Sequence, residues 1–203
     1  MKRLAAFTAF ALLTCSDAFA RPPVYALSNQ VIDDQGCPAG SFSIVNSPDG
    51  TTLSVLFDNF SIKDTDASAG VARKSCAIEI PLHLPEGYSL GVYRVDYRGF
   101  AHLDPKQHAE LNVDYGLVRH NHSRNYHRGI KGAFDGDFTF TERLGAGLMK
   151  RAGCGDDAVL NFAAALTLLT SAGAGQATMA LDSIDGTPKG GLVFGLDLKK
   201  CKG

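Results

Sequence analysis

Several features that would point to a particular chemistry are missing from this chain of 203 residues. It contains no HExxH pair, no P-loop and no dinucleotide-binding glycine series. It also has no tryptophan, which is the commonest large stacking residue in carbohydrate-binding sites. Tyr88, Tyr93 and Tyr97 remain as candidates for a sugar-stacking platform, although their spacing fits a core equally well. A glycosidase needs only two carboxylates, so the sequence leaves that activity open.

The chain also lacks an excess of charge of one sign, because 20 Lys and Arg residues balance 21 Asp and Glu residues. Such a balance predicts no long-range attraction to nucleic acid or to anionic lipid. No stretch beyond the N-terminal region is apolar enough to cross a membrane. We therefore expect no nucleic-acid partner, no membrane insertion and no cofactor.

The N-terminal region has the composition of an export signal. The basic residues Lys2 and Arg3 precede an apolar run at 4–14, which is too short to span a bilayer as a helix. Ala18, Phe19 and Ala20 then form a small-x-small cleavage site, so we predict a signal peptide over 1–20. The rest of the chain, 21–203, has no linker composition and is predicted to form a single secreted domain.

Four cysteines remain after the predicted cleavage site: Cys37, Cys76, Cys154 and Cys201. An even number of widely spaced cysteines in an exported protein indicates two disulfides, and no CxxC spacing supports a zinc site. Four cysteines allow three pairings, of which we favour the sequential one. A fifth, Cys15, follows a lipobox-like sequence and offers a lipid-anchored alternative to cleavage after Ala20.

Apolar residues recur at every second position along most of the chain, which indicates strands. We predict strands over 52–60, 74–84, 88–103, 108–118, 133–142, 159–170, 178–184 and 192–198. About nine or ten short strands with few helical segments predict an all-β fold, an antiparallel β-sandwich with two disulfides.

Three positions leave alternatives open in this assignment. Pro81 cannot donate to a ladder, so its strand either lies at an edge or is broken there. Gly99 suggests a bulge or a bend. The alanines of 159–170 also fit a helix, although the alternation around Leu160 favours a strand.

The segment between 118 and 131 is the best candidate for specific chemistry. The predicted ligand-binding residues are Arg119, His120, His122, Arg124, His127 and Arg128. His120 and His122 point the same way on an extended strand, and His127 could join them to bind copper, zinc or nickel. The three arginines oppose a cation and favour an anion such as phosphate, sulfate or an acidic glycan. A solvated polar hairpin tip is the third interpretation.

Several motifs in order resemble a known secreted family, DUF4360. They occupy 36–41, 47–53, 73–76, 85–88, 96–99 and 132–138. The resemblance covers roughly 36–201, with Cys154 and Cys201 also similar to that family. It implies secretion and a cysteine-framed β domain without an established activity, and it brings no catalytic residues.

Together these features predict a secreted, non-enzymatic binding or interaction module, located outside the cell or in the periplasm. Its target is expected to be an extracellular polymer or a partner protein. The alternative is an extracellular hydrolase that uses carboxylates or a His-bound metal.

Overall fold

The computed structural model of the protein describes residues 25–28, 31–32, 36–68, 70–118, 124–145, 151–154, 158–171, 173, 175–181 and 190–202. The predicted signal peptide, 1–20, and the alternative anchor Cys15 lie outside these ranges. The described residues contain no α-helix. They form fourteen strands and one short 3-10 helix, η1 (Asp64–Asp66).

The strands are β1 (Ala26–Leu27), β2 (Val31–Ile32), β3 (Phe42–Asn46), β4 (Thr52–Phe57), β5 (Ser61–Lys63), β6 (Val71–His83), β7 (Tyr88–Leu103), β8 (His108–Gly116), β9 (Arg124–Lys131), β10 (Phe134–Arg143), β11 (Ala152–Gly153), β12 (Ala158–Leu169), β13 (Ala177–Ala180) and β14 (Gly191–Lys200). Four of them, β1, β2, β5 and β11, have only two or three residues. The other ten agree with the predicted number.

These strands form two sheets in which every pairing is antiparallel. The first sheet has the order β1–β6–β12–β8–β9, with β2 also beside β6. The second has the order β3–β4–β14–β7–β13–β5, and β10 and β11 also pair with β7. Buried apolar side chains from both sheets form one continuous core between them. The predicted all-β antiparallel architecture is confirmed.

Alternating burial explains why β6 and β12 lie side by side in the first sheet. Ile78 and Ile80 of β6 are fully buried, and they pair with Phe162 and Leu160 of β12. Full burial of each such side chain contributes about 1.5–3 kcal/mol. The segment 159–170 is therefore a strand, as the alternation predicts, and not a helix.

Pro81 does not break β6, which continues through it to His83. Pro81 faces Val159 of β12 on one side. On the other side only β1 and β2 cover β6, and the Ser28 amide donates to the Pro81 carbonyl oxygen at 3.2 Å. Pro81 thus lies near an edge of the sheet, which is one of the two predicted alternatives.

A β-bulge reverses the alternation of side chains along β7. The register with β14 shifts between Gly195 and Leu196, and Tyr93 has no partner in that ladder. Val92 is buried before the bulge and Val95 is buried after it, so the buried positions change from even to odd numbers. Tyr93 itself is 46% exposed.

Gly99, where the sequence suggested the bulge, meets a different requirement. At this point β7 exchanges its neighbour β14 for β13. A Cβ on Gly99 would lie 2.0 Å from the Ala180 carbonyl oxygen and 2.7 Å from the Phe138 ring. Of the predicted bulge or bend, the bulge is wrong, because Gly99 pairs with β10 without a shift in register. The glycine permits a close approach of backbones instead.

Both predicted disulfides form with the sequential pairing. Cys37, in the loop before β3, bonds to Cys76 of β6 and so ties the second sheet to the first. Cys154 follows β11 and bonds to Cys201, which follows β14. Since β11 and β14 flank the start of β7, the second bridge closes over the N-terminal end of that strand.

Candidate functional site

Two rows of side chains run across the outer face of the second sheet. One row consists of Ser61, Ala180, Phe100 and Asp137, and the other of Lys63, Thr178, His102 and Asp135. They belong to the neighbouring strands β5, β13, β7 and β10. Because directly paired residues of antiparallel strands point to the same face, each row forms a strip across the sheet.

A groove of about 620 Å³ opens over these strips. Its lining includes Phe100, which is half-buried and is the aromatic ring of the site. Lys63, His102 and Gln176 add polar ends along the same lining. A volume of this size lies within the range of about 300–1,000 Å³ that small-molecule sites occupy.

Hydrogen bonds from other lining residues fix the walls of the groove. Asp64 accepts from the Ala177 amide at 3.3 Å, and the Thr178 hydroxyl donates to the Ile62 carbonyl oxygen at 3.1 Å. Both bonds join η1 or β5 to β13. The groove is therefore built on paired strands whose relative position is set.

Further along the same face, two arginines of β7 converge on one carboxylate. Arg94 binds Asp96 with both Nε and Nη2 at 2.9 Å, and Arg98 Nη2 lies 3.3 Å from the same side chain. Thr141 of β10 donates to Asp96 at 2.7 Å. The Asp96 side chain is only 5% exposed, while Arg94 and Arg98 are 41% and 44% exposed. We call Arg94, Asp96 and Arg98 the arginine clamp.

The ionised state of Asp96 is maintained by its partners. Burial opposes ionisation, but hydrogen bonds from Thr141 and Arg94 and the charge of Arg94 hold the pKa of Asp96 below its ordinary value. The carboxylate therefore keeps both guanidinium groups oriented under mildly acidic conditions.

A second polar cluster lies at the seam where the two sheets meet. Glu142 of β10 accepts hydrogen bonds from Tyr97 at 3.1 Å, from Tyr115 at 2.9 Å and from Arg124 at 2.8 Å. The Tyr97 ring also stacks on Tyr126 of β9 with centroids 4.1 Å apart. Burial raises the pKa of both hydrogen-bonded tyrosines above the ordinary value, so they remain neutral donors. This cluster holds the edge strands β9 and β10 together.

The predicted ligand-binding residues of 118–131 separate into three groups. Arg119, His120 and His122 lie outside the described residues. Arg124 contributes to the seam cluster, and the Arg128 guanidinium lies 5.4 Å from the Tyr126 ring. The side chain of His127 points to the opposite side, the outer face of the first sheet, where its Nε2 lies 3.6 Å from Glu110 Oε2. The strand thus directs Arg124 and His127 to opposite faces.

Residues 124–131 form the edge strand β9, which pairs antiparallel with β8. Arg124 to Arg128 therefore lie in a strand, and the rest of the predicted hairpin tip, 119–123, lies outside the described residues. His127 is the one predicted metal ligand that the structure describes. In the described ranges, no group of three or more His, Cys, Asp or Glu residues is arranged to hold a metal ion.

Residues 87–91 match the GxSxG pattern of hydrolase nucleophiles, but the context is different. A nucleophile elbow exposes its serine at a turn from a strand to a helix. Ser89 instead lies within β7, where it is buried and its Oγ accepts a hydrogen bond from Arg151 Nε at 3.0 Å. Arg151 also binds Asp197 at 2.9 Å, so this serine belongs to a structural network.

The residues that line the groove and those that form the clamp were not predicted from the sequence to bind a ligand. A signal for them exists in β7, where the even positions from Arg94 to His102 are polar except for Phe100 and alternate with apolar or small residues at odd positions. The three tyrosines do not form a platform, because Tyr97 is in the core and Tyr93 is exposed.

Among solved structures, the chain is similar to TmCBM61 in complex with beta-1,4-galactotriose. The identity is 13%, the match covers 85% of this chain and 89% of that chain, and the TM-score is 0.27. A likeness at this level carries no argument about the ligand.

An uncharacterized secreted protein of Arthroderma benhamiae is 24% identical to the chain over 151 residues. The alignment covers 74% of this chain and 62% of the relative, so the chain spans less than two thirds of that relative's length. No helix in the described part of the chain is long and apolar enough to cross a membrane. The secreted relative and the two disulfides confirm that the protein is secreted. The profile of a domain of unknown function, DUF4360, matches residues 31–201, and the chain therefore belongs to the DUF4360 family.

Proposed function

We propose that the protein is a secreted, non-enzymatic binding module that holds an extracellular polysaccharide in the groove over β13. The observation that carries this proposal is the half-buried Phe100 ring, which lines a groove of about 620 Å³ together with the polar side chains of Lys63 and Gln176. Aromatic rings stack on the apolar faces of sugars, and nearby polar groups hydrogen-bond their hydroxyls.

The polar residues of the groove suit this role. Lys63 and Thr65 are exposed, and Gln176 adds both a donor and an acceptor. These groups come from β5, η1 and the residue before β13, opposite Phe100 of β7. A sugar on the Phe100 ring would therefore meet hydrogen-bonding partners on its other edge.

Two of the carboxylates beside the groove favour binding over hydrolysis. Asp64 already accepts a hydrogen bond from the Ala177 amide, and Asp135 lies 3.2 Å from His102. Both carboxylates therefore have protein partners. Hydrolysis would instead need one carboxyl group as acid and a second as base or nucleophile.

The proposal is tested with purified protein and a panel of neutral and acidic polysaccharides, by sedimentation with insoluble polymers and by calorimetry with soluble ones. We expect saturable binding to at least one polymer. Phe100→Ala should weaken it about tenfold or more, because the ring and its apolar contact are lost. The matched control is Leu169→Ala, which removes an exposed apolar side chain from the outer face of the first sheet.

Two outcomes would overturn the proposal. The first is an absence of binding to every polymer, or binding that Phe100→Ala leaves unchanged. The second is release of sugars from a bound polymer, measured as new reducing ends, which would favour the hydrolase alternative.

A further inference from the structure

We propose that the polymer is anionic and that the arginine clamp binds its carboxylate or sulfate groups. This inference rests on the proposed function and names the ligand class of the same face. It concerns Arg94, Asp96 and Arg98, which lie beside the groove on β7.

The clamp has hydrogen-bond donors to spare. A guanidinium group carries five N–H donors, and Arg98 directs only one nitrogen to Asp96, at 3.3 Å. Arg94 directs two nitrogens to the same carboxylate. Within the described residues, neither guanidinium has another acceptor. Most of the donors of Arg98 are therefore open to a ligand, in the fork geometry that suits carboxylates and sulfates.

The charge of this region is unbalanced. Arg143 of β10 is paired directly with Arg94, an arrangement that is unfavourable between like charges on neighbouring strands. Arg94 and Arg98 contact Asp96, the one carboxylate that the described residues bring to either of them, while Arg143 lies beside Arg94 on the next strand. Since Asp96 is only 5% exposed, an approaching ligand meets the arginines first. A bound anion would reduce the repulsion that the fold leaves in place.

The clamp is continuous with the groove. Arg98 and Phe100 are two residues apart on β7 and point to the same face, so their Cα atoms are about 6–7 Å apart. On the neighbouring strand β10, Thr139 is paired with Arg98 and Asp137 is paired with Phe100. A sugar ring on Phe100 would therefore place the acidic group of a neighbouring unit over Arg98.

A purely structural role explains part of the cluster. Arg94 and Thr141 already give Asp96 three short hydrogen bonds and fix β7 to β10. The contact of Arg98 is longer, and its side chain is 44% exposed, so it adds little to this arrangement. Arg98 is therefore the residue at which ligand binding and folding can be separated.

The experiment compares pairs of polymers that differ only in charge. One pair is polygalacturonate and its methyl ester, and the other is dextran sulfate and dextran. We expect the wild type to prefer the charged member of at least one pair, and the pair concerned distinguishes carboxylate from sulfate. Arg98→Gln should lower that affinity about tenfold. Arg98→Lys should restore only part of it, because lysine lacks the planar fork.

The matched control is Arg73→Gln, which removes one exposed positive charge from the outer face of the first sheet. Thermal unfolding of each variant confirms that it is folded. Equal affinity for both members of each pair, with Phe100→Ala still weakening binding, would overturn this inference and leave the proposed function standing. An equal loss in Arg73→Gln would also overturn it, since the effect would then be one of net charge. Binding to no polymer would overturn both proposals.

Discussion

Removal of each disulfide in turn tests how this fold is stabilised. The two bridges close loops of similar length, with sequence separations of 39 and 47 residues. The chain-entropy relation gives a cost of about 4 kcal/mol for the loss of either one. The bridges differ in burial, because Cys37 and Cys76 are in the core whereas Cys154 is exposed.

The double variants Cys37→Ala/Cys76→Ala and Cys154→Ala/Cys201→Ala therefore separate loop entropy from packing. We expect the exposed pair to cost about 4 kcal/mol, or roughly 8–16 °C in Tm for a chain of this size. The buried pair should cost about 2 kcal/mol more, because two buried sulfur atoms are lost and leave a cavity. Urea unfolding followed by far-UV circular dichroism measures both free energies.

The reasoning fails if the exposed pair costs as much as the buried pair, since packing would then contribute nothing. It also fails if either variant loses less than about 1 kcal/mol. Such a result would mean that the unfolded chain without the bridge already keeps the two ends of the loop together.

Two further predictions concern buried carboxylates. Because its pKa is lowered by folding, Asp96 stabilises the protein above its unfolded-state pKa of about 3.9, and this contribution is lost as the pH falls through the folded-state pKa. Asp96→Asn should therefore lower stability at pH 7 and flatten its decline in acid, and an identical acid limb in urea titrations would contradict this account. Glu142→Gln leaves the partly buried Arg124 without its counter-ion and should cost about 2–3 kcal/mol. Glu110→Gln, at a more exposed carboxylate, should cost less than about 1 kcal/mol in the same assay.

The long strands β6 and β12 were predictable because one face of each is largely buried. In β6 and β12, apolar residues at every second position set both the strand and its register. The strand β9 gave no such signal. Its inward positions hold Arg124 and Arg128 as well as Tyr126 and Ile130, since an edge strand buries only part of that face.

The candidate site was harder to predict, because it depends on pairings distant in sequence. Lys63, Thr178 and His102 form one strip only because β13 lies between β5 and β7. Their individual residue types are ordinary for a sheet surface. The alternation along β7 could reveal the polar face, but it could not show which strands extend that face into a groove.

The bulge at Tyr93 determines which side chains of β7 face the core and which face solvent. If Tyr93 were paired in a regular ladder instead of forming the bulge, the even positions that are buried at Leu90 and Val92 would stay buried through the rest of the strand. Arg98 and Phe100 would then point inward, and the core residues would be displayed to solvent. The one unpaired residue therefore determines which set of alternate side chains in the second part of β7 faces solvent.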